Sequence, residues 1–210
     1  MFQDRIEAGH ALAEKLRKYK NNPGVILAVP RGGVPIACVV AKELGLPLDI
    51  VLTKKIGHPL NKEYAIGAVS LSDSFIIPHE DVSPYYIERE TKTIRDRLKE
   101  MYRKFMGDSL PLDIHGKTVI LIDDGIATGN TLMATVKMLE KKNPAKIVIA
   151  VPVASENAIE KLAKEVDEIV CLLIPSHFMG VGAFYEDFTQ VSDEEVIQYL
   201  EKLKKEKIPE

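Results

Sequence analysis

VILIDDGIATGNT, residues Val119 to Thr131, decides the fold. Four apolar residues, Val119 to Ile122, run without alternation into two adjacent carboxylates, Asp123 and Asp124. A strand apolar on both faces is buried on both faces, as in a parallel sheet, whereas a half-exposed strand alternates. Small and hydroxyl residues follow from Gly125 to Thr131, and an amphipathic segment begins near Leu132. The stretch predicts strand, tight loop, helix.

That shape predicts a ligand. Gly125 and Gly129 let the backbone curl with its N–H groups inward, and the helix beyond adds the positive end of its dipole, which suits a phosphate monoester. The hydroxyls of Thr128 and Thr131 can add hydrogen bonds. Asp123 and Asp124 would repel the same phosphate, so they suit sugar hydroxyls or a hydrated magnesium ion instead. A phosphorylated sugar is the inferred ligand. Asn130 stands where a Walker loop needs lysine, and no G-x-G-x-x-G opens the first helix, so neither of those nucleotide loops applies. An ordinary strand–turn–helix would explain Asp and Gly as turn residues, but not the whole ordered set.

Working toward the amino terminus, Val25 to Val29 reads as a second buried strand, ending in Pro30-Arg31-Gly32-Gly33 and followed by a helical stretch from Val34 to about Leu44. Two glycines free the backbone, and Arg31 offers a planar fork for phosphate oxygens, so the stretch reads either as a diphosphate-binding loop or as a glycine turn with a solvent-facing Arg. Leu48 to Leu52 is a third strand, and Gly, Pro and Asn make residues 53–63 a loop. Its lysines, Lys54 and Lys55, could close over a departing diphosphate, with Lys55 the preferred contact; the alternative is a solvated surface pair. Ala65 to Ser72 and Ser74 to Pro78 read as a hairpin-like pair turning at Ser72 and Asp73. Pro84 to about Met106 is a long charged helix, its Glu and Asp interleaved with Arg and Lys as in a solvated helix. At the start, Asp4 to about Tyr19 is helical, expected to pack on the sheet edge or on a partner subunit.

Toward the carboxyl terminus come a helix from Thr131 to Lys142, a buried strand from Lys146 to Val153, a helix from Ser155 to Glu165 capped by Ser155, and a last strand from Glu168 to Leu173. Strands alternating with helices give a doubly wound, mostly parallel sheet whose ligand loops gather at the strands' carboxyl ends. Pro175 to Phe188 is then irregular and aromatic. Phe178 and Tyr185 could offer a base a stacking face, while Phe184 and Phe188 fit better as seals over the core. His177 lies in the same segment; His10, His58, His79 and His115 share no metal-ligand spacing and fit surface or capping roles.

Composition narrows the class. With 210 residues and a net charge of −3, the chain fits a single globular domain without the basic excess that nucleic acid demands. No apolar run nears the roughly 20 residues that span a bilayer, and the charged amino terminus lacks a signal-peptide core, so the cytoplasm is expected. Cys38 and Cys171 lie far apart among apolar neighbours, as buried thiols do.

The central stretch resembles the 13-residue 5-phosphoribosyl 1-diphosphate (PRPP) motif of type I phosphoribosyltransferases. The likeness extends to FQDRIEAGHALAEKL, VPRGGVPIA, KKIGHPLNKEYAIGAV and VGAFYEDFTQVSDEEV, nearly the whole chain, which is similar to a stand-alone group of that family. It implies an α/β type I phosphoribosyltransferase fold: a single domain with its core at about 20–174, a helical insertion at about 84–106 and a small carboxyl-terminal hood at about 175–205. It also implies Mg-PRPP as donor, a nitrogen nucleophile such as a nucleobase as acceptor, a place in nucleotide metabolism, and a homodimer.

By the same resemblance, Ala127, Thr128, Gly129, Asn130 and Thr131 hold the 5-phosphate, and Arg31, Gly32, Gly33 and Lys55 the diphosphate. Asp123 and Asp124 face the ribose hydroxyls and touch magnesium only through them or through water. Where many relatives have Arg before Lys, this chain has Lys54, which weakens a bidentate contact there. The acceptor and the catalytic base stay open; Asp124 and Glu63 are the candidates for the base. A PRPP-binding regulator without transferase activity is the rival reading, and a magnesium-dependent hydrolase a third.

Overall fold

The computed structural model describes residues 1–206. Five strands form an all-parallel sheet in the order β2-β1-β6-β7-β8: β1 (Gly24–Ala28), β2 (Leu48–Ile50), β6 (Thr118–Ile122), β7 (Lys146–Val153) and β8 (Glu168–Leu173). Strand order reverses between β1 and β6, since the chain steps outward from β1 to β2 on one side and from β6 to β8 on the other. Splayed connections at such a reversal leave a crevice at the strands' carboxyl ends.

Helices cover both faces, which accounts for strands without alternation. Ile26, Ala28, Ile120, Ile122, Val148 and Ala150 join one apolar cluster with α1 (Arg5–Lys15), α2 (Gly33–Leu44), α3 (Pro84–Met106) and α6 (Asp193–Glu206). The alternate residues Val25, Leu27, Val119, Leu121, Ile147 and Ile149 pack with α4 (Asn130–Glu140) and α5 (Glu156–Leu162). The long helix α3 buries Ile94, Leu98, Tyr102, Phe105 and Met106, and each large apolar side chain so removed from water contributes about 1.5–3 kcal/mol. Its inner end is fixed by Asp49, 2% exposed, which accepts from the Tyr102 hydroxyl (2.9 Å) and the Leu112 amide (2.8 Å).

Two expectations change. Residues 53–63, expected as a loop, form β3 (Lys54–His58) and the start of β4 (Asn61–Val69), an antiparallel hairpin that continues into β5 (Ser74–Ile76) as a second, three-stranded sheet. Gly57 is a close-approach residue there rather than a loop breaker: a Cβ on it would lie 2.4 Å from the Lys62 carbonyl oxygen. His58 caps the turn, its Nδ1 accepting from the Leu60 amide (3.2 Å) while Nε2 meets Asp81 (3.0 Å).

The amino-terminal helix α1 lies against α2 and over the sheet face at β7 and the edge strand β8, and puts Leu12, Ala13 and Leu16 in the main core. The expected hood divides: residues 174–192 are irregular apart from a short 3-10 turn, whereas α6 buries Val196, Leu200 and Leu203 in that same core. Among the described residues, no helix is long and apolar enough to cross a membrane.

Candidate active site

The crevice between β1 and β6 gathers most of the residues singled out in the sequence. β6 ends at Ile122, so Asp123 and Asp124 stand at its carboxyl end, and the Pro30–Gly33 loop leaves β1 beside them. The two loops touch. A Cβ on Gly32 would fall 1.9 Å from Asp124 Oδ2, and one on Gly33 would fall 2.6 Å from the Ile122 carbonyl and 2.9 Å from Asp123 Cα. A side chain at Gly33 would meet backbone and push the loops apart, so packing requires that glycine before any ligand is considered, whereas a side chain at Gly32 would displace the Asp124 carboxylate.

Beyond the acids the chain turns through Gly125 to Gly129 into α4. Gly129 sits at φ +76°, a left-handed conformation that disfavours other residues, at the position just before the helix. Among the described residues, the amides of Ala127, Thr128, Gly129, Asn130 and Thr131 find no hydrogen-bond partner, which leaves the donors of a helix's first turn facing outward. Ala127, Thr128, Asn130 and Thr131 are exposed. Ser155, at the start of α5, braces the turn from behind: its hydroxyl donates to the Ala127 carbonyl (2.6 Å) and accepts from Ala158 N (3.2 Å).

The carboxyl pair is electrostatically uncomfortable. Burial and then the neighbouring Asp124 charge push the Asp123 carboxyl well above the usual carboxylate range. Burial also raises Asp124, although a guanidinium opposes it. Removal from water disfavours the charged form, and a second acid in contact disfavours it again. Such a pair is relieved by hydroxyl donors or a cation. Among the described residues, no group of three or more His, Cys, Asp or Glu side chains is placed to hold a metal ion.

That guanidinium is Arg5, which had drawn no notice in the sequence. It is 8% exposed, and its Nε (3.1 Å) and Nη2 (2.9 Å) both reach Asp124 Oδ2. One signal pointed to it: Arg5 is the first residue of α1, where a positive charge opposes the helix dipole and needs an outside carboxylate.

The remaining candidates are placed less centrally. Arg31 shares the glycine loop, but its Nε donates to Asp193 (2.6 Å) at the start of α6, which also holds Lys104 (2.7 Å). Lys55 is paired with Glu63 (2.8 Å) on the hairpin. It faces Asn130 and Thr131 across a cleft of about 550 Å³, and Lys54 lines the same cleft. Phe178 stacks on Phe184, ring centres 5.9 Å apart and 21° from parallel, and is partly buried. Tyr185 is 5% exposed, with Phe2 and Phe188 beside its ring at 5.5 and 5.0 Å, and its hydroxyl donates to the Asp124 carbonyl (2.7 Å). So placed, Tyr185 presents no open face to a base; it supports the backbone of the second acid.

The chain matches the phosphoribosyl transferase domain family over residues 3–189. It is 35% identical over 211 residues to the Mycobacterium tuberculosis (strain H37Rv) protein named "Putative phosphoribosyl transferase", a match covering 96% of this chain and 47% of that protein. The chain thus spans about half the length of that curated relative. A crystal structure of a Thermus thermophilus protein superposes with a TM-score of 0.86 at 38% identity, covering 96% of this chain and 98% of that one. A shorter stretch, 60 residues or 28% of this chain, is 40% identical to a ribose-phosphate pyrophosphokinase of Pyrococcus furiosus, of which it covers 22%. With its parallel sheet, its acid pair at the strand reversal and these likenesses along nearly its whole length, the chain belongs to the phosphoribosyl transferase domain family.

Proposed function

We propose that this chain moves a 5-phosphoribosyl group from Mg-PRPP to a nitrogen nucleophile of the nucleobase kind and releases diphosphate. One observation carries the reading: in a single crevice, two carboxylates whose charge is disfavoured adjoin a turn of amides without partners. A ribose diol suits the first and a phosphate monoester the second, and one turn of chain separates them.

The chain's own residues then do two jobs. The amides of Ala127 to Thr131 and the Thr128 and Thr131 hydroxyls hold the 5-phosphate, and Asp123 and Asp124 accept from the ribose hydroxyls, which fixes the anomeric carbon for attack. As the nucleophile approaches, positive charge grows on the ribose ring and negative charge on the departing diphosphate. Arg31, Lys55 and the Gly32 and Gly33 amides steady the latter. Two carboxylates cannot cage magnesium alone; Asp123 and Asp124 would hold the ion only indirectly, through ribose hydroxyls or water, and it would supply further charge neutralisation. Phe178 remains the candidate for contact with the acceptor.

A second reading, a PRPP-binding regulator, has one observation in its favour: both leaving-group cations are paired with carboxylates of this chain, Arg31 with Asp193 and Lys55 with Glu63. A single assay separates the readings. Purified protein is incubated with Mg-PRPP and a panel of nucleobases, and diphosphate release is measured against a no-base control. Release that depends on a base supports transfer, binding without release supports the regulator, and release without any base supports hydrolysis.

A further inference from the structure

The amino-terminal segment and the stretch just before α6 meet beside the acid pair. Phe2 N donates to the Phe184 carbonyl (2.8 Å), Glu186 N to the Phe2 carbonyl (2.8 Å) and Asp187 N to the Gln3 carbonyl (2.9 Å). This short zipper brings Arg5 to the site. Its guanidinium carbon lies 4.0 Å from the Phe188 ring centre, its Nη1 donates to the Thr189 carbonyl (2.9 Å), and its other two nitrogens grip Asp124 Oδ2.

Asp124 Oδ2 is therefore fully engaged. Arg5 holds it, and Gly32 approaches so closely that an added Cβ would overlap it, at 1.9 Å. Asp123 is also committed on one side, its Oδ1 accepting from Asp124 N (2.8 Å). Burying a guanidinium costs several kcal/mol unless its partner is well aligned and its remaining donors are satisfied. Here the aligned partner is an acid of the site.

We infer that Arg5 is a positioning residue: by occupying Oδ2 of Asp124 it turns Oδ1 toward the ribose diol, and the zipper between residues 2–3 and 184–187 sets that orientation. The inference rests on the sugar-phosphate reading above and deepens it. It predicts an effect confined to the diol, because the phosphate cradle at 127–131 does not touch Arg5.

The test compares two ligands on wild type, Arg5→Met and Arg5→Lys by calorimetry: ribose 5-phosphate, and ethyl phosphate, which has no diol. Thermal melts confirm that each variant is folded, and Arg5→Lys keeps a cation in the slot should Arg5→Met fail to fold. Loss of a group that orients a ligating side chain commonly costs tenfold or more. Arg5→Met should therefore weaken ribose 5-phosphate by about tenfold or more while ethyl phosphate changes by less than about twofold. Arg5→Lys should recover only part, since one ammonium cannot reproduce the two-point grip. In an Asp124→Asn background the Arg5 substitutions should add almost nothing. Equal losses for both ligands, or none, would overturn the inference while leaving the site reading in place, provided that wild type binds ribose 5-phosphate. Failure of wild type itself to bind it would overturn both.

Discussion

Acidic side chains meet opposite fates at the two ends of the central sheet. At the amino end of β8, Glu168 accepts from Lys146 (2.8 Å), the Tyr19 hydroxyl (2.6 Å) and Lys18. Burial there works to raise its pKa, but the hydrogen bonds from Lys146, Lys18 and Tyr19 prevail and hold the carboxyl down at about 2. At the carboxyl end of β6, two acids share one cation, Arg5, and burial prevails, so both carboxyls are raised. One end is completed by the chain itself; the other, on the reading proposed above, is left for a ligand to complete.

The contrast can be broken experimentally in four ways. The largest effect is expected from replacing Asp123 and Asp124 together by Ala, which should weaken Mg-PRPP by more than about 100-fold in calorimetry, about 2.7 kcal/mol. Unchanged affinity would remove the acid pair from the site. Gly33→Ala comes next, since its Cβ would meet backbone on two sides, and overpacking of this kind costs about 1–3 kcal/mol. Urea denaturation should show that loss, and affinity for PRPP should fall with it. Glu168→Gln should cost about 1–2 kcal/mol of stability and leave PRPP affinity within about twofold, because its partners lie at the far end of the sheet. A loss of affinity there would mean that the two ends are coupled.

The smallest effect is in the pH dependence, where the signs oppose. Glu168 has a depressed folded pKa, so its contribution is present above its unfolded value of 4.5 and is lost as pH falls toward about 2. Asp123 has a raised folded pKa. The folded state holds that proton more tightly, so the pair costs stability as pH rises above the unfolded value of 3.8. Asp123→Asn should then raise the thermal midpoint at pH 7 by a few degrees, roughly 1 kcal/mol, and the gain should shrink on acidification. A lowered midpoint at pH 7 would show that the pair stabilises the ligand-free fold.

Much of this was legible in the sequence because it depends on local pattern. Unbroken apolar runs marked β1, β6, β7 and β8, and the acids and glycines at their ends marked the crevice. What escaped depends on partners distant in sequence. β3 and the start of β4 read as a loop because Gly57, Pro59 and Asn61 carry turn signals, and only pairing with the neighbouring strand overrides them. Tyr185 read as an alternative between stacking and sealing; contact with Phe2 and Phe188 decides how it lies. Arg5 itself stands 119 positions from Asp124, in a helix start capped by Asp4 that looks solvated when read alone.

The most direct measurement is a crystal structure with ribose 5-phosphate. The phosphate is expected on the amides of residues 127–131 and the sugar hydroxyls on Asp123 and Asp124, with Arg5 still on Oδ2. Sugar phosphate bound away from the amides of residues 127–131, or bound with both acids turned away, would contradict that placement.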